Sequence, residues 1–135
     1  MNKKILVVDD EVDVVTLIKF TLETNGFEVI TAYDGEQALI KAQECVPDLI
    51  LLDVLMPKMF GNEVLLELKK KPNTAKAPVI FLTNIPAMFL VEKEEEGLQR
   101  DAQGNIFLSK CCSEEELLST IEKVLDIEKN PEKES

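Results

Sequence analysis

Five short apolar runs punctuate the chain, and between them the apolar residues thin out to one face of a helix. Ile5-Leu6-Val7-Val8 is the first run and stops at Asp9-Asp10. Val15, Ile18 and Leu22 then recur at spacings of three and four, which predicts an amphipathic helix that ends at Asn25-Gly26. Gly26 suits the left-handed residue that follows a helix. Residues 27–32 predict a second strand, Asp34-Gly35 a turn, and Ala38, Leu39 and Ala42 a second helix that ends before Pro47. Leu49-Ile50-Leu51-Leu52 is apolar without alternation, as a strand covered on both faces is, and it leads into Asp53. Pro57 and Gly61 break the chain, with Gly61 read as serving backbone geometry, and Val64, Leu65 and Leu68 mark a third helix closed by Lys69-Lys70-Lys71. Val79-Ile80-Phe81-Leu82 ends at Thr83, and Ile106-Phe107-Leu108 ends near Lys110. Ser113, with Glu116 three positions later, is a capping box that opens a last helix through Leu117, Leu118, Ile121 and Leu125.

The stretch between Thr83 and Lys110 is the least regular. It holds Pro86, an apolar patch at 87–91, a charged run at 92–96, Gly97 and Gly104. A helix within 87–100 is expected there, with the charged run on its solvated face. Residues 126–135 are polar and expected to fray. The division is one domain over 1–126 and a polar tail over 127–135. Strands alternating with helices predict an α/β fold, a parallel sheet of five strands covered on both faces. In such sheets ligands bind outside the carboxyl ends of the strands, so the last residue of each run is the one to examine.

Composition narrows the chemistry. Lys and Arg number 15 against 26 Asp and Glu, a net charge of −11. Such a chain is not expected to bind nucleic acid directly or an anionic membrane surface, whereas divalent cations and basic protein patches suit it. There is no histidine, which excludes imidazole bases, histidine zinc sites and a Ser/His/Asp triad. Cys45, Cys111 and Cys112 form no C-x-x-C pair and read as partly buried thiols of a reducing cytosol. No apolar run has the length of a secretory signal or of a membrane span, so the expectation is a soluble, cytoplasmic protein without membrane insertion.

The predicted strand ends carry Asp9-Asp10, Asp53, Thr83 and Lys110. Three carboxylates in one crevice repel, and one takes up a proton unless a cation joins them. Hard oxygen ligands on an open sheet edge suit Mg²⁺. With a metal and a lysine to neutralise an incoming phosphoryl group, one carboxylate can attack it, and carboxylates do form aspartyl phosphates. Each residue alone has a plainer reading. Asp9 or Asp10 can cap the first helix, Thr83 can be an ordinary strand residue, Lys110 a solvated lysine and Phe107 plain core.

Taken in order, Val7-Val8-Asp9-Asp10-Glu11, Leu52-Asp53-Val54-Leu55-Met56-Pro57 with Gly61, Leu82-Thr83 and Phe107-Leu108-Ser109-Lys110 resemble the receiver domain of bacterial two-component response regulators, of the stand-alone, single-domain type. The likeness runs from about Lys3 to Leu125. It implies a flavodoxin-like, doubly wound sheet of five parallel strands in the order 2-1-3-4-5. It implies that Asp53 accepts a phosphoryl group from a sensor histidine kinase or phosphotransfer protein. It further implies a Mg²⁺ site of Asp9, Asp10, Asp53 and the backbone carbonyl of Leu55, with Asp10 binding directly and Asp9 through water. Lys110 would pair with the phosphoryl oxygens, the Thr83 hydroxyl would move to bond another, and Phe107 would turn inward behind it. The changed surface would be the face of the fourth and fifth strands, read by a downstream protein target. The chain would then be a switch rather than an enzyme, with self-phosphorylation and autodephosphorylation at most.

Three departures qualify the likeness. Cys111 stands where proline usually follows the lysine, so a trans bond is expected and the aim of Lys110 is open. Asn84 stands where a smaller residue usually follows the threonine, which predicts hindered access and slower phosphorylation or hydrolysis than in an Asn84→Ala variant. The stretch from Thr83 to Lys110 is a few residues longer than usual. With no further domain after the last helix in this sequence, output by protein contact is the expectation. A second reading is a receiver-like binding module that ignores phosphorylation. A third, a nucleotide or flavin carrier, lacks G-x-G-x-x-G and G-x-x-x-x-G-K among the five glycines.

Overall fold

The computed structural model describes residues 2–84, 93–95, 98–101 and 104–129. Among the described residues, seven strands form one sheet: β1 (Lys4–Val8), β2 (Glu28–Ala32), β3 (Leu49–Asp53), β4 (Val79–Thr83), β5 (Lys93–Glu95), β6 (Leu98–Arg100) and β7 (Ile106–Ser109). Also among the described residues, four helices accompany them: α1 (Val12–Thr24), α2 (Gly35–Cys45), α3 (Gly61–Lys69) and α4 (Glu114–Lys129). The sheet order is β2-β1-β3-β4-β7-β6-β5. Its first five strands are parallel and stand in the expected 2-1-3-4-5 order, β7 being the fifth of them. β6 and β5 extend it antiparallel beyond β7.

The apolar runs explain this architecture through their period of two. Ile5 and Val7, Leu49 and Leu51, Ile80 and Leu82 join Val15, Leu22, Leu117 and Ile121 in one core, on the α1 and α4 side. Leu6 and Val8, Ile50 and Leu52, with Phe81, join Ala38, Ala42, Val64 and Leu68 in a second, on the α2 and α3 side. Every residue of β3 is buried, which is why that strand shows no polar alternation. Each fully buried Leu or Ile contributes about 1.5–3 kcal/mol relative to exposure, so the register of the central strands is strongly fixed.

Local signals set the boundaries. Gly26 has φ +88° after α1, the left-handed conformation its position requires. Asp34-Gly35 is a helix start, since the Asp34 carboxylate accepts from the Gln37 N–H at 2.7 Å and Gly35 opens α2. The Ser113 hydroxyl accepts from the Glu116 N–H at 3.1 Å at the start of α4. That helix runs on to Lys129, so 126–129 are helical rather than frayed, while 130–135 lie outside the described residues.

The helix expected within 87–100 does not hold for its described part. Lys93–Glu95 pairs antiparallel with Leu98–Arg100, and that strand lies along β7. Leu98 is fully buried in the α1 and α4 core, which anchors the hairpin. Residues 85–92, 96 and 97, where the rest of that helix was expected, lie outside the described residues.

Candidate functional site

The strand registers bring the carboxyl ends level. Val8 lies beside Leu52, Asp53 beside Leu82, and Thr83 beside Ser109. The next residues therefore leave the sheet at one rim. The Asp9 N–H donates to the Ala32 carbonyl at 3.2 Å, that of Val54 to Leu82 at 3.1 Å and that of Lys110 to Thr83 at 2.9 Å, so the three exits are tied to neighbouring strands. Behind them, a cleft of about 250 Å³ is lined by Asp10, Glu11, Asp53, Val54, Leu55, Thr83, Asn84 and Lys110.

Asp9, Asp10 and Asp53 each place a carboxylate oxygen within 4.8 Å of the others. Asp9 is 0% exposed and Asp53 3%, while Asp10 is open to solvent. Small local bonds aim the buried pair. Asp9 Oδ1 accepts from the Glu11 N–H at 3.0 Å, and Asp53 Oδ1 from the Leu55 N–H at 3.2 Å. The other oxygens turn to Lys110, whose Nζ lies 2.9 Å from Asp9 Oδ2, 3.2 Å from Asp53 Oδ2 and 2.9 Å from Glu11 Oε1. The Lys110 side chain is 6% exposed. It enters the cluster across a trans Lys110–Cys111 bond, so the aim left open by the missing proline is inward.

One lysine does not balance this cluster. Burial, then the charge of Asp9, pushes the Asp53 carboxyl up to about 7, against the pull of Lys110 and of the Leu55 N–H. Burial alone would lower Lys110, but its pairing with the carboxylates of Asp9, Glu11 and Asp53 outweighs it and raises the ammonium above its ordinary value. Asp9 Oδ2 and Asp53 Oδ2 are buried and face Lys110 as ion pairs without an oriented hydrogen bond. Two under-satisfied buried carboxylate oxygens beside a solvent-facing third fit a small hard cation, which prefers few carboxylates and keeps several waters.

Thr83 is buried and Asn84 exposed, both on the wall of the cleft. Leu55 is 62% exposed at the cleft's edge. Phe107 is not among the lining residues. Its ring stacks on Phe81 with centroids 5.3 Å apart, partly buried against the α2 and α3 core. Gly61 serves backbone geometry through close approach rather than through a positive φ, because a Cβ there would stand 2.5 Å from the Asp53 carbonyl oxygen. Of the thiols, Cys45 and Cys112 are partly buried but Cys111 is exposed. Burial, then Glu116, pushes Cys112 up to about 11, which leaves it a poor nucleophile at neutral pH.

Glu11 is the site residue to which the sequence reading gave no role. Its position directly after Asp9-Asp10 was the available signal, but its partner lies 99 residues away.

Known proteins share this arrangement of sequence and fold. Residues 5–122 match the response regulator receiver domain family. The chain is 42% identical over 130 residues to the alkaline phosphatase synthesis transcriptional regulatory protein PhoP of Bacillus subtilis (strain 168), covering 93% of this chain and 49% of that protein. It is 35% identical over 125 residues to the phosphate regulon transcriptional regulatory protein PhoB of Escherichia coli (strain K12), covering 93% and 52%. The chain thus spans about half the length of these curated relatives. The solved chemotaxis protein CheY4 of Vibrio cholerae superposes with a TM-score of 0.76 at 32% identity, covering 92% of this chain and 99% of that one.

Proposed function

Since the chain belongs to the response regulator receiver domain family of two-component systems, we propose that it is a phosphorylation-controlled switch that takes a phosphoryl group onto Asp53. The observation that carries this reading is the buried Asp53 carboxylate, 3.2 Å from the Lys110 ammonium and clustered with Asp9 and Asp10. Mg²⁺ held by Asp10, Asp53 and the Leu55 carbonyl, with Asp9 acting through water, would neutralise charge on the carboxylates and on the incoming phosphoryl oxygens.

The protein's own groups do the rest. An Asp53 oxygen forms the bond to phosphorus as the donor's bond to phosphorus breaks, the donor leaving with the electron pair. Lys110 turns from carboxylate to phosphoryl oxygen, and the Thr83 hydroxyl donates to another. The phosphate adds about −1.5 to −2 charges and three acceptor oxygens, and it shifts the equilibrium only as far as these contacts differ between the two states. Phe107, stacked on Phe81, is the side chain that responds. Asn84 narrows the approach, so Asn84→Ala is expected to label or hydrolyse faster.

The donor would be a sensor histidine kinase or phosphotransfer protein, and the output contact with a downstream protein, in the cytoplasm. Among the described residues no helix is long and apolar enough to cross a membrane. Incubation with acetyl phosphate and Mg²⁺, read by intact mass and peptide mapping, tests the assignment. One phosphoryl group on Asp53 is expected in the wild type and none in Asp53→Asn or in EDTA; undiminished labelling of Asp53→Asn would refute it. The antiparallel β5–β6 pair favours examining the second reading, a phosphorylation-independent binding module. Partner affinity unmoved by phosphorylation would support that reading instead.

A further inference from the structure

We propose that Glu11 is an electrostatic gate on this site: its half-exposed carboxylate holds the buried Lys110 ammonium and repels small anionic phosphodonors. The inference rests on the reading of Asp53 as phosphoacceptor and concerns how that residue is reached. Glu11 sits at the N-cap position of α1, yet its side chain makes no capping bond. It turns instead to Lys110 and accepts a hydrogen bond from Nζ at 2.9 Å.

Two features separate it from the other carboxylates around that ammonium. It is 53% exposed, whereas Asp9 and Asp53 are buried. It also stands outside the Asp9, Asp10 and Asp53 group whose oxygens converge closely enough to share a cation. A cation there therefore draws charge from Asp9 and Asp53 while leaving Glu11 and its hold on Lys110 intact.

The ammonium has three protons, and three carboxylate oxygens lie within 3.2 Å of it. A phosphoryl oxygen must displace one of them to reach Lys110. With acetyl phosphate, an Asp53 oxygen bonds phosphorus, the bond from phosphorus to the acetate oxygen breaks, and acetate leaves with the electron pair. The developing charge is stabilised by the donors aimed at it. Glu11 competes for one such donor and also lines the cleft through which the anion arrives.

The test is the acetyl phosphate labelling rate of the full chain at saturating Mg²⁺, against donor concentration and ionic strength, for wild type and Glu11→Gln. The variant's second-order rate constant is expected to be about three- to tenfold higher, the effect of removing one charge close to a reacting anion. The wild-type rate is expected to rise more steeply with salt, because salt screens the charge that the variant lacks. A capping or folding role would leave the salt slope unchanged. Labelling at Asp53 with equal rate constants and equal slopes, or a slower variant, overturns the gate alone. Absence of labelling at Asp53 in both chains overturns the phosphoacceptor reading and the gate with it.

Discussion

At Asp53 the folded chain keeps a proton that the unfolded chain has already released. Its carboxyl stands at about 7 instead of 3.8, through burial and the charge of Asp9. Between those values folding takes up a proton, so this residue makes the metal-free protein less stable as pH rises through that window, and the penalty is constant above it. Asp53→Asn removes the penalty. Metal-free thermal melts at about pH 8 are expected to show the variant more stable by ~1–2 kcal/mol, a value discounted for water entering beside Asp10. The two proteins should converge toward pH 4, where both hold a neutral side chain. A variant no more stable than wild type at the higher pH would contradict this account of the cluster.

Where α3 meets β3, the two elements touch through a missing side chain. A Cβ on Gly61 would stand 2.5 Å from the Asp53 carbonyl oxygen, 3.1 Å from Val54 Cα and 3.2 Å from Phe81 Cε1. Two of these atoms are backbone, so Gly61→Ala must push α3 away from the end of β3. A loss of ~1–3 kcal/mol is expected, typical of overpacking, together with slower labelling of Asp53. Urea unfolding and the labelling assay check this, and unchanged values in both would show that the contact is slack.

The elements also show what a sequence can carry. β1, β3 and β4 were legible because both faces are buried, which leaves runs that only a central strand has. The β5–β6 pair was not. Three-residue strands are too short for periodicity to register, and Glu and Lys have good helix propensity, so the charged run reads as a helix. What holds the hairpin is its pairing with β7 and the burial of Leu98, both set by the assembled sheet.

Across the whole molecule, a two-sided core fixes the sheet, and the sheet register gathers Asp9, Asp10, Glu11, Asp53 and Lys110 at one rim. Asp9, Asp10, Asp53 and Lys110 were legible because each ends a predicted strand, and the topology of parallel sheets brings such ends together. Glu11 was not, because its pairing depends on β7 closing beside β4, far along the chain. The inward aim of Lys110 was likewise a tertiary outcome, decided by two buried carboxylates with unmet charge.

The central claim is that this rim binds a divalent ion so that Asp53 can carry an acyl phosphate. A crystal structure of the protein with Mg²⁺ and beryllofluoride, a mimic of a phosphoryl group on a carboxylate, tests it most directly. The account predicts the fluoride group on an Asp53 oxygen, Lys110 turned to a fluorine, and an ion among Asp10, Asp53 and the Leu55 carbonyl. Beryllofluoride absent from Asp53 under saturating conditions, or an ion bound away from these carboxylates, would contradict it.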